Sequence, residues 1–530
     1  MRPHMPNQYV AQSILSILCA LGLGGLHTLC FAPNPFGGGF QIPVLTAFFA
    51  LVARARTIRA AALTAGAFGF AHFVSGVFWV YISMHTYGGM PSLLALAALF
   101  LFALYLALYP AFAAALWRAC MLRTGTRALT GWQSSLIFAS AWTIAEWLRG
   151  TGTKGFPWLV GGYAQVDGPL AGYAALIGVY GISWLLALSA ALCAHAIAAF
   201  WNQDKPRKRI TAAAAPLMTL ALLSAGSVFA SKIHWTTSVH APLTVRLLQG
   251  NIEQDMKFGL AGVNAALAQY LTLITARPAD LIITPETALP IRLRDMPDVM
   301  ARALRDFSDT TGSAILLGAV GVTRVADGAA GLTNSVFGIT PHSRRLYQYD
   351  KAHLAPLGEF IPWGFRWFVQ QMRIPLGDFT RGPAVQAPFT VHQQTLALSI
   401  CYEDVFGEEI ARTLRETPAP AGILLNVTNF AWFGKALVLA QSLQIARMRA
   451  LETGRPVLRA TNTGITAVIG ADGRVVNQLP VFTVGALEAR VQGVTGLTPY
   501  IRYGNQPVLF VSLLLLAFCA ARRIVKRVNR

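Results

Sequence analysis

Seven apolar stretches follow one another in the first 230 residues, near 11–30, 40–53, 60–82, 91–117, 131–148, 170–200 and 211–230, and another lies near 507–521. No water-soluble core takes up so many apolar runs in series. A bilayer does, because a helix needs about 20 apolar residues to cross its roughly 30 Å hydrocarbon layer. Composition agrees, with 54% hydrophobic and only 12% charged residues, where soluble domains carry about 25% charged. The 40–53 stretch is short for that thickness and is read as tilted, buried or re-entrant. The first stretch lacks a small-residue cleavage site followed by a soluble domain, so it is read as a span and not as a signal peptide. The expected membrane domain therefore covers 1–230 with a last helix at 505–523, about eight spans in all.

The formal charge of +20 matters less than its placement. Arg54, Arg56 and Arg59 flank one loop, Arg118, Arg123 and Arg127 another, and Lys205, Arg207, Lys208 and Arg209 a third. With Arg2 and the tail residues Arg522, Arg523, Lys526, Arg527 and Arg530, they mark every second side of the path. The positive-inside rule then places both termini in the cytoplasm and the long segment before the last span outside it. No basic stripe with interleaved aromatics appears, so a nucleic-acid partner is not expected. His85, Glu146, Arg149, Lys154 and Asp167 fall at outer membrane edges, where ionisable groups are functional candidates. Helix-end pairing or interfacial snorkelling explains each of them equally well. Trp79, Tyr81, Trp147 and Trp158 read as an interfacial aromatic belt.

From 241 to 495 the character changes. Short β-rich runs (Val245–Leu248, Leu281–Thr284, Ala314–Val322, Ser335–Ile339, Leu396–Ile400, Ile423–Val427 and Val457–Ala460) alternate with helical patterns, clearest over Val263–Ala276 and Pro297–Thr311. That alternation predicts an α/β domain with a layered sheet. Of the six cysteines, Cys19, Cys30, Cys120, Cys193 and Cys519 lie in or beside apolar stretches, and Cys401 alone lies in the polar part. It has no internal disulfide partner there. No cysteine or histidine cluster has metal spacing, so neither a metal nor a cofactor is expected.

Three strand ends carry charge or a nucleophile. Leu-Ile-Ile-Thr-Pro-Glu ends in Glu286, a Tyr-Asp-Lys run carries Lys351 with Glu359 shortly after, and Leu-Ser-Ile-Cys-Tyr-Glu carries Cys401, Tyr402 and Glu403. Taken singly, a cysteine after an apolar run is usually an inert buried thiol, and a charge at a strand end is usually solvated. Together, a carboxylate, an ammonium and a thiol form an acyl-transfer set: a base for the thiol proton, a nucleophile, and a cation for the developing oxyanion. The stretch Pro362–Pro375 mixes Trp363, Phe365, Trp367, Phe368, Met372 and Ile374 with Arg366 and Arg373. It reads either as an interfacial arm over the cleft or as a surface helix with a core-facing stripe. Trp432 and Phe433 are candidates for a second hydrophobic rim.

Glu, Lys and Cys in this order at strand ends resemble the nitrilase (carbon–nitrogen hydrolase) superfamily, and with the membrane half the whole chain resembles the bacterial apolipoprotein N-acyltransferases. The likeness is carried by Gly76–Ser83, Tyr87–Pro91, Glu146–Trp158, Gly162–Pro169, Gln249–Ile252, Cys401-Tyr402-Glu403, Ala431–Gly434, Ala446–Glu452 and Gly496–Tyr500. The resemblance implies an αββα sandwich in the polar half and an enzyme of the bacterial inner membrane, acting as a monomer, with its catalytic domain in the periplasm. It implies ping-pong transfer of an acyl chain from a phospholipid, expected to be phosphatidylethanolamine, through a Cys401 thioester to the N-terminal amine of a diacylglyceryl-apolipoprotein. Glu286 is then the general base and Lys351 the oxyanion cation, with Glu359, Tyr402 and Glu403 in support. Two positions depart from the family pattern. Phe258 stands where the family typically has Trp, which keeps an aromatic contact but loses an N–H donor, and Phe430 stands where it typically has Asp. A membrane-tethered amidase or nitrilase is the alternative that the three residues alone permit. A transporter with an outer sensing domain would instead need charges deep in the spans.

Overall fold

The computed structural model describes residues 6–123, 130–151, 155–202, 206–253, 259–324, 330–356, 358–361, 364, 367 and 378–521. The chain divides into two compact units, one of Met1–Phe78, Leu96–Ile233 and Tyr503–Arg530, the other of Trp79–Ala95 and His234–Arg502.

Among the described residues the first unit is built of helices: α1 (Pro6–Thr28), α2 (Gly37–Arg54), α3 (Ile58–Gly76), α4 (Ser92–Arg123), α5 (Gly131–Thr151), α6 (Ala174–Trp201), α7 (Pro206–Ala230) and a last helix, Gln506–Ala521. A helix thus stands at each expected span. Five apolar segments are long enough to cross a bilayer among the described residues, Gly37–Arg54, Ile58–Gly76, Ser92–Leu122, Ala171–Trp201 and Ala213–Ala230. The apolar parts of the first and last helices are shorter, and α5 carries Glu146 and Arg149. At about 1.5 Å per residue the short second stretch reaches about 27 Å as α2, close to the hydrocarbon thickness. Outward-facing Leu15, Leu101, Leu222, Phe229, Phe510 and Leu514 are exposed. Such an apolar exterior suits lipid and not water, and the chain is a membrane protein.

The stretch expected at 60–82 ends early. Helix α3 stops at Gly76, and the chain enters a short helix, Trp79–Ile82, and a π turn, Ser83–Tyr87. Gly88 and Gly89 follow, and the positive φ of Gly89 turns the backbone where a side chain would strain it. The 170–200 stretch is interrupted as well, by Gly178 with φ 63° inside α6.

The second unit contains two β-sheets packed face to face. The first runs in the order Gly485–Val491, β1 (Leu243–Gln249), β2 (Leu281–Ile283), β3 (Ala314–Arg324), β4 (Ala330–Ile339), β5 (Tyr347–Asp350), with Leu289–Arg292 also paired to β3. The second runs Val475–Gln478, Ala467–Ile469, Val457–Thr461, then β7 (Ile423–Thr428), β6 (Gln394–Ile400) and Phe389–Val391. β6 and β7 pair in parallel with Ile400 beside Val427, and β1, β2 and β3 are also parallel. Val245 and Leu247 of β1, with Ile283 and Leu316, pack on Leu398, Ile400, Leu425 and Val427 across the sheets. On the outer face of the first sheet, Ile282, Ile315 and Leu317 bury Leu267, Ile274 and Leu304 of the helices Leu260–Thr275 and Asp298–Thr311. On the outer face of the second, Leu424 and Val457 bury Leu414, Ala446 and Ala450 of Gly407–Glu416 and Val438–Thr453. The layers are therefore αββα. Strands buried on both faces read as largely apolar runs, as β7 does with Asn426 and Thr428 its polar residues.

Candidate active site

The three strand ends come together. β2 leads through Thr284 and Pro285 to Glu286, β5 leads directly to Lys351, and β6 leads directly to Cys401. Strand ends project side chains from a rigid sheet, which fixes their geometry more tightly than a free loop does.

Two of the three positions carry backbone strain. Cys401 has φ 54° and Thr287, next to Glu286, has φ 48°. Left-handed backbone at residues with a β-carbon persists only where the surroundings over-determine it. Around Cys401 they do. Glu403, two residues on, accepts from the N–H groups of Ile400 at 2.7 Å, Ala352 at 2.7 Å and His353 at 3.0 Å, and from the Tyr349 hydroxyl at 2.9 Å. One buried carboxylate thus ties the Cys401 turn, a single 3₁₀ turn over Cys401–Val405, to the backbone beside Lys351. Asn426 Nδ2 donates to the Cys401 carbonyl at 3.2 Å, and Arg459 donates to Asp404 at 2.8 Å. At the Glu286 turn the neighbouring strand carries Gly318, because a side chain there would run into the Pro285 carbonyl.

Lys351 is 1% exposed and lies between two carboxylates, 2.8 Å from Glu359 Oε2 and 3.5 Å from Glu286 Oε1. Asn334 Nδ2 donates to both, at 2.7 Å each. The remaining acceptors are filled by backbone: Asn429 N–H to Glu286 Oε2 at 2.8 Å and Ala355 N–H to Glu359 Oε2 at 2.7 Å. Burial by itself lowers the Lys351 pKa, but the charges of Glu359 and Glu286 outweigh it and hold the ammonium above its ordinary range. The Cys401 thiol is pushed up, first by burial and then by the Glu286 carboxylate, with Lys351 opposing. A thiol so placed rests protonated, and a nucleophile of this kind needs a base beside it at the moment of attack.

Comparisons with known proteins match both halves of the chain. Residues 23–192 match the family "Apolipoprotein N-acyltransferase N-terminal domain" and residues 244–500 match "Carbon-nitrogen hydrolase". An apolipoprotein N-acyltransferase of Ralstonia nicotianae is 52% identical over 94% of this chain and 92% of its own. Those of Bordetella bronchiseptica and Nitrosomonas europaea are 40% and 41% identical, each over 94% of this chain and 95% and 96% of theirs. The chain belongs to the apolipoprotein N-acyltransferase family. A solved CN-hydrolase superfamily protein from Xanthomonas campestris is similar at 19% identity, over 51% of this chain and 97% of its own, with a TM-score of 0.36.

Against the family's acyl-transfer chemistry, the residues singled out from sequence divide into groups. Glu286, Lys351 and Glu359 are buried in one hydrogen-bonded cluster, and the buried Glu403 holds the turn of the half-buried Cys401. Tyr402 lies edge-on to Phe406 at 5.2 Å. Of the aromatic–basic stretch only Gly364 and Trp367 are described, and Trp367 is 61% exposed. Trp363 and Phe258 lie outside the described residues, as does Lys154. Trp432 is half-buried, and Phe433 stands edge-on to Trp79, their rings 5.0 Å apart. Phe430 is buried with its ring 5.4 Å from the Arg459 guanidinium. Sequence reasoning missed Asn334 and Arg459. The only signal for either was a polar residue inside an otherwise apolar strand, which marks a site and a structural hydrogen bond equally.

Proposed function

We propose that the chain transfers a fatty acyl group from a phospholipid to the α-amine of the N-terminal diacylglyceryl-cysteine of an apolipoprotein. The observation that carries this reading is the convergence of Glu286 and Lys351 on the strained strand end that presents Cys401. In the first half-reaction Glu286 takes the thiol proton as Cys401 Sγ attacks the ester carbonyl carbon. The negative charge that forms on the carbonyl oxygen is stabilised by Lys351, with the Tyr402 N–H at the start of the turn as a second donor. The intermediate collapses to a thioester, and the glycerol oxygen leaves with the proton from Glu286 as part of a lysophospholipid. In the second half-reaction the apolipoprotein amine attacks the thioester, Glu286 takes its proton, and the Cys401 thiolate leaves and is reprotonated. The product is an amide. General-base and oxyanion contributions are typically about 10²–10⁴ and about 10²–10³ in rate.

The family's acceptor and the apolar first unit both favour transfer over hydrolysis of a small amide. Phosphatidylethanolamine is the proposed donor and a single chain the active species. The placement of Lys and Arg favours an inner-membrane protein with cytoplasmic termini and a periplasmic active site. Trp367, Trp432 and Phe433, with Phe258 and Trp363, are the aromatic side chains proposed to meet the acyl chains.

Intact-mass analysis of protein purified with phosphatidylethanolamine tests the chemistry. A fatty-acyl adduct is expected on the wild type and none on Cys401→Ala; an active wild type without an adduct sinks the thioester. Hydrolysis of a small amide with no transfer would favour the amidase reading. A reporter fused near residue 350 should register as periplasmic.

A further inference from the structure

The segment Trp79–Ala95 leaves the helical unit in sequence and groups instead with the αββα unit. Its contacts there are specific. Trp79 is buried, its indole Nε1 donates to Gln441 Oε1 at 3.3 Å, and its ring meets Phe433 edge-to-face at 5.0 Å. The Tyr87 hydroxyl lies against Gly434, whose φ is 58°. A π turn over Ser83–Tyr87 separates these two contacts, and single π turns are rare and concentrate at functional positions.

The loop they hold is the one that orders Glu286. Phe433 N–H donates to the Phe430 carbonyl at 3.1 Å, Ala431 N–H donates to Asn429 Oδ1 at 3.2 Å, and Asn429 N–H donates to Glu286 Oε2 at 2.8 Å. The same loop leans on the nucleophile's side. Phe430 packs between Phe433, 6.2 Å between ring centres, and the Arg459 guanidinium that binds Asp404. An edge-to-face aromatic contact has a preferred geometry, so it specifies where Phe433 sits.

From this juxtaposition we infer that Trp79 is a positioning residue for acyl transfer, which it serves by seating the Asn429–Gly434 loop and so fixing the Glu286 carboxylate. The inference rests on the reading of Glu286 as the base. Trp79 acts through Phe433 and Gln441, and its effect is on the rate of Cys401 acylation and not on donor affinity. A misplacement of about 1 Å in a catalytic group can cost about 10²-fold, and the loop's other hydrogen bonds remain when Trp79 is removed. Trp79→Ala should therefore lower the single-turnover acylation rate by about 10- to 100-fold.

The test is single-turnover acyl-adduct formation by purified, monodisperse full-length protein with phosphatidylethanolamine, followed by mass across a donor titration. Trp79→Ala should show the loss at saturating donor with half-saturation little changed. Trp79→Phe, which keeps a ring against Phe433 and gives up the bond to Gln441, should recover most of the rate. Phe433→Ala, which also gives up the acyl-chain contact proposed for Phe433, should lose at least as much rate at saturating donor. Adding Trp79→Ala to it should slow saturated acylation no further, because both break the same contact. Wild-type acylation in Trp79→Ala overturns the inference. So do losses that multiply in the double variant, a change confined to donor half-saturation, or a loss that only tracks the folded fraction. Glu286→Gln serves as the separate control: if it acylates normally, the base assignment fails whatever Trp79 does.

Discussion

The αββα unit and the helical unit each bury a cluster of ionisable groups, and the two clusters use their charges differently. In the helical unit Glu146 and Arg149 lie on α5 and are 7% and 3% exposed. Arg149 donates to the carbonyls of Phe156 and Trp158, at 2.7 and 2.6 Å, and Glu146 accepts from Gly161 N–H at 2.9 Å. These hydrogen bonds stitch a turn to a helix end. In the αββα unit the carboxylates of Glu286 and Glu359 face another side chain, Lys351, beside a strained thiol. Burial of charge therefore does not by itself mark chemistry. What sets the cluster proposed for chemistry apart is a buried ammonium and carboxylates beside a thiol on a strained strand end.

The largest effect should come from Lys351→Met. It removes the cation and leaves two buried carboxylates around Asn334 without neutralisation, which costs about 3–5 kcal/mol when one partner of a buried pair is lost. Acyl transfer should be undetectable, and the thermal unfolding midpoint should drop sharply. Glu286→Gln separates the two consequences. It keeps the side chain's shape and one of the two accepting oxygens, while the new NH₂ meets a donor. Stability should therefore fall less than in Lys351→Met, and the folded protein should lose about 10²–10⁴ in transfer. Arg149→Met is the counterpart in the helical unit. Stability should fall by about as much as for Lys351→Met, since two carbonyls lose their buried partner, yet transfer per folded molecule should stay near wild type. If Arg149→Met silenced folded enzyme, the contrast between the clusters would break.

The state of the thiol sharpens the contrast further. Because burial and then Glu286 raise its pKa while Lys351 lowers it, alkylation of Cys401 by iodoacetamide should be slow at neutral pH. It should keep rising with pH beyond the range of an ordinary thiol, about 8.5. Removing an anion stabilises the thiolate, so the inflection in Glu286→Gln should move to lower pH. Removing a cation does the reverse, so in a folded preparation of Lys351→Met it should move to higher pH. Shifts of the opposite sign would mean that neither group faces the sulfur.

Much of this was legible in the sequence, for identifiable reasons. β7 and β6 could be read because strands buried in a sandwich are apolar runs bounded by polar residues. Cys401 directly follows such a run and Glu286 follows one after Thr284 and Pro285, whereas Lys351 stands out through the Glu, Lys, Cys order of the family resemblance. Tyr347–Asp350 was not legible as a strand, since its residues are half-buried or exposed and carry no apolar signal. Trp79 resembled an interfacial belt residue, and only the fold shows it packed on Phe433. Asn334 was invisible for a similar reason: a polar residue inside a strand gains meaning from what lies across the sheet, here two carboxylates from separate loops.

The smallest effect should come from Tyr349→Phe, which bears on how redundantly each cluster is held. Tyr349 gives one of the four hydrogen bonds that Glu403 accepts, and the other three come from the backbone of Ile400, Ala352 and His353. The phenyl ring fills the same space, so no cavity forms, and only a charge-assisted bond is lost. Such a bond is worth about 1.5–3 kcal/mol, and three remaining donors place the loss at the lower end. Transfer should fall only a few-fold, because the backbone clamp still joins the Cys401 turn to the segment beside Lys351. Activity and thermal midpoint measured on the same preparation check this. A loss as deep as that of Glu286→Gln would show that the nucleophile's turn hangs on the phenol and not on the backbone.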